Sequence, residues 1–156
     1  MKISIGGEAI FRQDMGPLMP GTEHAPPADE YRCIFGCGGR GGCDMTCARY
    51  VEYILEKEGD VAAVIAEPIR STPTIPKPEY WQTIRRACDR HGALLIFDEI
   101  HKYRSWRGLL KGLYDGRRRG QRILVTGSEA QGVLAQLGKV PREIKEFLID
   151  YTTRIT

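Results

Sequence analysis

Apolar residues recur at helical spacing in the segment that follows Asp44. Ala48, Val51 and Leu55 fall on one face of this predicted helix, which is the pattern of an amphipathic helix covering a core. Asp44 is placed to act as its N-cap. Gly59 follows the last apolar position, and glycine is the residue that most often ends a helix. We therefore predict a first helix between Asp44 and Gly59.

The same period returns after a proline-rich loop. Pro78 is suited to the first turn of a helix because it has no backbone N–H to leave unpaired. Trp81, Ile84 and Cys88 then share one face, and Gly92 provides the stop signal. These positions predict a second helix between Pro78 and Gly92.

Three short, continuous apolar runs are predicted to form buried parallel strands. They are residues 61–66, 93–98 and 122–126, and runs of this kind are typical of strands covered on both faces. Strands and helices alternate every 30 residues or so (about the length of one βαβ unit), which favours right-handed crossovers on a parallel sheet. The predicted fold class is α/β: a small three-layer domain with about three parallel strands flanked by helices.

The chain divides into two regions by composition. Residues 1–43 are rich in glycine and proline and show no sustained period, so we predict an irregular N-terminal arm. Residues 44–156 carry the predicted strands and helices and form a single α/β domain. A third helix is predicted to begin at Ser105, and further helical patterns follow in the tail.

Composition excludes several classes of function. The net charge of +3 is too small to indicate nucleic-acid binding by itself, and the basic run at residues 117–119 is typical of a solvated face, with a phosphate contact as the alternative. No apolar stretch is long enough to span a bilayer, and residues 1–13 do not resemble a secretory signal. Five cysteines, an odd number, favour reduced thiols. We expect a cytoplasmic protein.

Polar residues follow the predicted strands at the edge where ligands usually bind. In parallel α/β sheets this is the edge formed by the carboxyl ends of the strands. Glu67 follows the first strand, Asp98 and Glu99 close the second, and Ser128 follows the third. The alternative is that these side chains only cap strand or helix ends.

Four separate segments resemble class III aminotransferases, the pyridoxal-phosphate enzymes related to ornithine aminotransferase. They are residues 16–21, residues 31–33, the Ala-Ala-Val-Ile-Ala-Glu-Pro segment at 62–68, and residues 88–100, which end in Ile-Phe-Asp-Glu-Ile. Their order and spacing are similar to the central part of that family's large domain. The resemblance covers about residues 1–100.

The resemblance implies a cofactor, three site residues and a partner. Asp98 would pair with the protonated pyridine nitrogen of pyridoxal phosphate and keep the ring an effective electron sink. Ile100 would pack against the ring face, and Glu67 would lie beside the cofactor region. A homodimer or a partner chain would complete the site, because family dimers share residues across their interface.

The chain also departs from the family pattern. The Schiff-base lysine is expected some thirty residues beyond the aspartate, where this chain has Gly127, and Lys102, Lys111 and Lys139 lack the expected context. The Gly-Arg-Thr-Gly type segment after the Asp-Glu pair is replaced by residues 101–106. Without that lysine, the chain is predicted not to transaminate on its own.

A second resemblance overlaps the first. Residues 94–103 and 123–128 resemble the Walker B and sensor segments of an AAA-type ATPase. In that interpretation Asp98 would help hold magnesium, Glu99 would orient the attacking water, and Ser128 would sense the γ-phosphate of Mg-ATP. The sequence contains no P-loop. The alternatives are thus a degenerate ATPase-like nucleotide-binding or interaction module, or an inactive recombinant chimera joined near residues 94–101.

Four cysteines form a C-x3-C-x5-C-x3-C pattern at Cys33, Cys37, Cys43 and Cys47. Four thiolates can bind zinc tetrahedrally or hold an iron–sulfur cluster. Structural zinc sites usually have C-x2-C pairs, a spacing absent here, so free thiols are the other interpretation. We assign no metal ligand from the sequence.

Overall fold

The structure, a computed structural model, describes residues 4–37, 42–69, 75–106, 108 and 124–125. Helices and strands alternate along the described chain from Thr46 onward. The elements are helix α1 (Thr46–Glu58), strand β1 (Ala63–Ala66), helix α2 (Pro78–His91), strand β2 (Leu94–Phe97) and strand β3 (Leu124–Val125), with two short 3-10 helices at Ala9–Phe11 and Ile100–Lys102.

Helix α1 buries the face that the sequence predicts. Ala48, Val51 and Leu55 are all buried, and Gly59 ends the helix with a left-handed backbone (φ +74°). The N-cap position is Met45, so the prediction for Asp44 is wrong by one residue. The Asp44 carboxylate nevertheless accepts the Thr46 N–H at 3.0 Å, because a side chain one residue earlier still reaches the first turn.

Helix α2 begins at Pro78 and ends at Gly92, as predicted. Its buried residues are Tyr80, Ile84, Ala87 and Cys88. Trp81, expected to face inward, is only half-buried. Helices α1 and α2 pack against each other, and their inward side chains form the core together with Ala93 and Leu95 of the second strand segment.

The three strands form one parallel sheet in the order β1-β2-β3. β1 and β2 are in register from Ala63 opposite Leu94 to Ala66 opposite Phe97, and β3 pairs with the last two residues of β2. β1 and β2 are shorter than the apolar runs that predict them, and the described residues of each strand lie inside its predicted range. The α/β fold class is confirmed.

The described part of the N-terminal region contains one regular element, the 3-10 helix at Ala9–Phe11. Trp106 is buried, at the start of the predicted third helix, but most of that helix lies outside the described residues. So do Ser128 and the tail patterns, and the division of the chain at residue 43 stays a prediction. No helix in the described ranges is long and apolar enough to cross a membrane.

Candidate functional site at the carboxyl edge of the sheet

The parallel register of β1 and β2 places the residues that follow the two strands at the same edge of the sheet. Ala66 lies opposite Phe97, and the next backbone contact is a hydrogen bond from the Asp98 N–H to the Ala66 carbonyl at 3.0 Å. Glu67 follows Ala66 directly. The two carboxylates predicted from the sequence therefore leave neighbouring strands at the same end of the sheet, as the parallel arrangement requires.

A tight local turn sets the direction of the chain beyond β2. Glu99 has a left-handed backbone (φ +54°), an uncommon conformation for a residue with a side chain. Its N–H donates to Asp98 Oδ1 at 3.0 Å, and the Lys102 N–H donates to the Glu99 carbonyl at 3.0 Å. Asp98 is half-buried and Glu99 is buried. The turn thus leaves the Asp98 carboxylate partly accessible while covering its neighbour.

Lys102 joins the two strand ends by ion pairs. Its Nζ lies 3.0 Å from Glu67 Oε2 and 3.8 Å from Glu99 Oε2. His101 Nε2 lies 3.5 Å from the same Glu99 oxygen. Two carboxylates, a lysine and a histidine therefore form one polar group at this edge, which we call the edge cluster (Glu67, Glu99, His101 and Lys102).

One polar atom of the edge cluster is buried without a partner. His101 Nδ1 makes no hydrogen bond to any described residue, although solvent does not reach it. A buried nitrogen in this state costs free energy unless another group satisfies it. Ile100, the residue before His101 in the sequence, is only 2% exposed, so its side chain is covered by protein atoms.

Aromatic side chains of α2 pack against the end of β2. Trp81 of α2 packs edge-to-face on Phe97, the last residue of β2, with ring centroids 5.3 Å apart. Trp81 also meets Tyr80 edge-to-face at 4.9 Å. Such contacts stabilise the ring positions beyond their burial, and they hold the end of β2, from which Asp98 projects, against α2.

A surface cavity of about 290 Å³ lies elsewhere, between α1 and α2. The Arg90–Glu52 ion pair joins the two helices there. None of the edge residues lines the cavity, so we give it no part in the site. Its lining residues are Met45, Arg49, Glu52, Thr83, Arg86 and Arg90.

Sequence reasoning placed Glu67, Asp98 and Glu99 at this edge, and the structure brings all three there. It did not find the role of Lys102, which was considered only as a covalent lysine, or the contact of His101 with Glu99. A usable signal was present, because His101 and Lys102 lie two and three positions after Glu99 and so begin at the same edge of the sheet as the neighbouring carboxylate. Ser128 lies outside the described residues.

The chain matches the family of class-III aminotransferases over residues 1–102. This is well over half of its length, and the chain belongs to that family. The match includes Asp98, Glu99 and the rest of the edge cluster. The ATPase resemblance and a lineage join near residues 94–101 are not supported by the comparisons.

Two curated relatives illustrate the range of the family. The chain is 45% identical over 112 residues to an (R)-1-hydroxy-2-aminoethylphosphonate ammonia-lyase of Vibrio splendidus, covering 63% of this chain and 23% of the relative. It is 35% identical to an adenosylmethionine-8-amino-7-oxononanoate aminotransferase of Geobacter sulfurreducens, covering 63% of this chain and 22% of the relative. The chain thus spans less than a quarter of the length of either relative.

Solved structures show the same fold. An aminotransferase of Bacillus anthracis is 28% identical, with a TM-score of 0.50 over 62% of this chain and 22% of that one. A thermostable omega transaminase of Pseudomonas jessenii, 24% identical, superposes with a TM-score of 0.53 over 63% of this chain and 23% of that one. The latter likeness concerns the fold alone.

The family uses pyridoxal phosphate, and the described residues fit one end of that cofactor. A partly accessible carboxylate at the end of a sheet-core strand is the group that a protonated pyridine nitrogen requires. The unpartnered His101 Nδ1 indicates that the edge has polar capacity left to fill. Lys102 forms ion pairs with two carboxylates of this edge.

Proposed function

We propose that this chain is an aminotransferase-type unit that binds a pyridoxal-phosphate-type cofactor through its pyridine nitrogen and does not transaminate on its own. The observation that carries the proposal is the position of Asp98. Its carboxylate follows the central strand of the parallel sheet, is half-buried, and accepts a backbone N–H at one oxygen. A half-buried carboxylate in this position is the kind of group that pairs with a protonated pyridine nitrogen.

Asp98 would act by holding a proton on the ring nitrogen. A half-buried carboxylate beside a pyridinium forms a charge-assisted hydrogen bond, which is stronger than a neutral one. When bound, the cofactor supplies a cationic ring that accepts electrons from the reacting carbon. Glu67 lies one strand away at the same edge, with its charge offset by Lys102. In this proposal Glu67 orients Lys102 and borders the cofactor region. Ile100 is covered by protein atoms, so in this proposal it supports the edge from within the core and does not contact the ring.

The absence of independent turnover is proposed from lysine chemistry. Covalent catalysis of this type needs an unprotonated amine at the cofactor. Lys102, the described lysine at this edge, is engaged in ion pairs with Glu67 and Glu99. Gly127 stands where the resemblance places the covalent lysine. The chain would therefore bind the cofactor reversibly.

A partner chain is the proposed source of the missing groups. The described residues cover the sheet incompletely: β1 side chains are half-buried, and Leu94 in β2 is 43% exposed. Parallel sheets are normally covered on both faces. This exposure of the described strands supports a second copy or a complementary chain that covers the sheet and completes the site.

Binding of pyridoxamine 5′-phosphate tests the proposal. This probe has the pyridine nitrogen and the phosphate but no aldehyde, so surface lysines cannot trap it. We expect its fluorescence to titrate saturably with the chain, and Asp98→Asn to weaken binding about tenfold or more, the equivalent of one lost charge-assisted hydrogen bond. Asp60→Asn, at an exposed carboxylate, is the matched control and should bind like the unmodified chain.

Equal affinity of the Asp98→Asn and Asp60→Asn variants would contradict the assignment of Asp98. A second arm uses pyridoxal phosphate followed by borohydride reduction and peptide mass analysis. We expect scattered, substoichiometric labelling of lysines. Stoichiometric labelling of Lys102 alone would contradict its proposed role as an ion-pair partner and would indicate covalent chemistry at this edge.

A further inference from the structure

Three thiols converge at the junction between the N-terminal region and α1. The Cys37 Sγ lies 2.9 Å from the Cys33 Sγ and 3.7 Å from the Cys43 Sγ. All three side chains are partly exposed. We call this group the thiol cluster (Cys33, Cys37 and Cys43). It lies outside the edge cluster, and the proposed function makes no use of it.

Local structure holds Cys33 and Cys37 together. The Gly36 N–H donates to the Cys33 carbonyl at 3.0 Å, closing a turn in which Gly36 has φ +72°. Phe35, inside the turn, packs against Tyr50 of α1 with ring centroids 5.7 Å apart. This contact fixes the turn against α1. The fold itself therefore holds the two thiols close together.

The two thiols are electrostatically unequal. The pKa of Cys33 is lowered, chiefly by the hydrogen bond from the Cys37 thiol and then by backbone N–H groups, with that of Phe35 first. The pKa of Cys37 is raised to about 12 because its proton is donated to Cys33. A thiolate beside a protonated thiol is the pair that a two-step oxidation uses, since the thiolate attacks first.

The other two cysteines differ from the thiol cluster in burial and serve as controls for its reactivity. Cys47 and Cys88 are both buried, and burial raises the pKa of each thiol. Both should therefore react slowly with oxidants. Selectivity for the thiol cluster is thus expected from exposure and from charge together.

We propose that Cys33 and Cys37 form an oxidation site, at which a hydroperoxide converts the two thiols into an intramolecular disulfide. The Sγ atoms need to approach by only about 0.9 Å to reach disulfide bonding distance. A metal site is the competing use of clustered thiols. Among the described residues, no group of three or more His, Cys, Asp or Glu side chains is arranged to hold a metal ion, so the geometry favours the disulfide.

The chemistry balances with the peroxide as oxidant. The Cys33 thiolate attacks one peroxide oxygen, the O–O bond breaks, and the leaving hydroxide takes a proton to become water, which leaves a sulfenic acid on Cys33. The Cys37 sulfur then attacks the Cys33 sulfur. The S–S bond forms, the S–O bond breaks, and a second water departs with the Cys37 proton. Two thiols lose two electrons in total, and one peroxide gains them.

Trypsin mapping distinguishes the possible products. Cleavage after Arg32, Arg40 and Arg49 places Cys33 and Cys37 in one peptide, residues 33–40, and Cys43 with Cys47 in the next, residues 41–49. After treatment of the folded chain with hydrogen peroxide, we expect peptide 33–40 to lose about 2 Da, the mass of two hydrogen atoms. The number of titratable thiols should fall from five to three, and dithiothreitol should restore it.

Variants and a denatured control complete the experiment. Cys33→Ser and Cys37→Ser should each abolish the mass loss, whereas Cys43→Ser and Cys88→Ser should keep it. The same oxidation in guanidinium should be at least about tenfold slower and should scatter over several pairings, because the fold no longer holds the two thiols together.

Three results would overturn the proposal. They are a crosslink between peptides 33–40 and 41–49 as the main product, a sulfinic acid on Cys33 without loss of a second thiol, and equal rates in folded and denatured chain. Zinc that protects all three thiols of the thiol cluster at stoichiometric concentration would also contradict it and would indicate a metal site. None of these results depends on cofactor binding at Asp98, so the two proposals can fail separately.

Discussion

Lys102 Nζ lies 3.0 Å from Glu67 Oε2, although the two residues are 35 positions apart in the sequence. The contact joins the segment that follows β1 to the 3-10 helix that follows β2. It exists because the parallel register ends both strands at the same edge. In our proposal this contact borders the region that the cofactor occupies.

Double-mutant analysis should show weak, salt-sensitive coupling between these two residues. Both side chains are partly exposed, 38% for Glu67 and 28% for Lys102, so the coupling energy should be about 0.2–1 kcal/mol. Urea unfolding of Glu67→Gln, Lys102→Met and the double variant measures it. Lys102→Met should cost more than Glu67→Gln, because it also removes a cation near the buried Glu99 carboxylate.

The salt dependence of the coupling energy is the control for this double-mutant analysis. Raising the sodium chloride concentration to about 0.5 M should reduce the coupling between exposed charges. A coupling energy above about 2 kcal/mol, or one that salt leaves unchanged, would show that the pair is more buried than the structure indicates.

The core between α1 and α2 should be sensitive at Leu55. This side chain is 2% exposed and packs in the main apolar cluster, so Leu55→Ala should lower the free energy of unfolding by about 2–5 kcal/mol. Ile34→Ala, at a side chain that is 71% exposed, should change it by no more than about 0.5 kcal/mol. Similar losses in both variants, measured by chemical denaturation, would contradict the assigned core.

Alkaline pH should destabilise the chain through Tyr80. Burial raises the pKa of this phenol to about 12, above its usual value of about 10. The folded state therefore favours the neutral form. The resulting stability is fully present below about pH 10 and is lost as the pH rises toward 12, with a slope of at most about 1.4 kcal/mol per pH unit for one group.

Tyr80→Phe should remove this contribution. Its free energy of unfolding, measured by urea denaturation between pH 9 and pH 12 (about the window set by the two pKa values), should fall less steeply than that of the unmodified chain. Tyr31→Phe is the control because Tyr31 is 87% exposed and should leave the slope unchanged. Identical slopes for the Tyr80 variant and the unmodified chain would contradict the burial of Tyr80.

The helices could be predicted well because their signals are local. Leu55 and Ile84 fall on the apolar period, and Gly59 and Gly92 stop the two helices where the structure ends them. Strands β1 and β2 are shorter than predicted, because an apolar run does not show where hydrogen bonding to a neighbouring strand ends. Asp44 was displaced from the N-cap by the left-handed backbone at Met45, a conformation that sequence pattern does not favour for methionine.

The contacts at the two clusters could not be predicted because they depend on tertiary distances. Asp98 and Glu67 were found from the rule that ligands bind at strand ends. The Glu67–Lys102 pair also needs the register of β1 against β2. The cysteine spacing was compatible with metal or free thiols, and only the distance from Cys33 to Cys37 separates that pair from the rest.

Thermal unfolding with pyridoxamine 5′-phosphate tests the central claim, that Asp98 holds the pyridine nitrogen of the cofactor. A ligand at about one hundred times its dissociation constant adds about 2.7 kcal/mol of stability, a shift of several degrees for a chain of this size. We predict this shift for the unmodified chain and for Asp60→Asn, and its loss in Asp98→Asn. A cooperative transition that the ligand leaves unmoved, or an equal shift in the Asp98 variant, would contradict the claim.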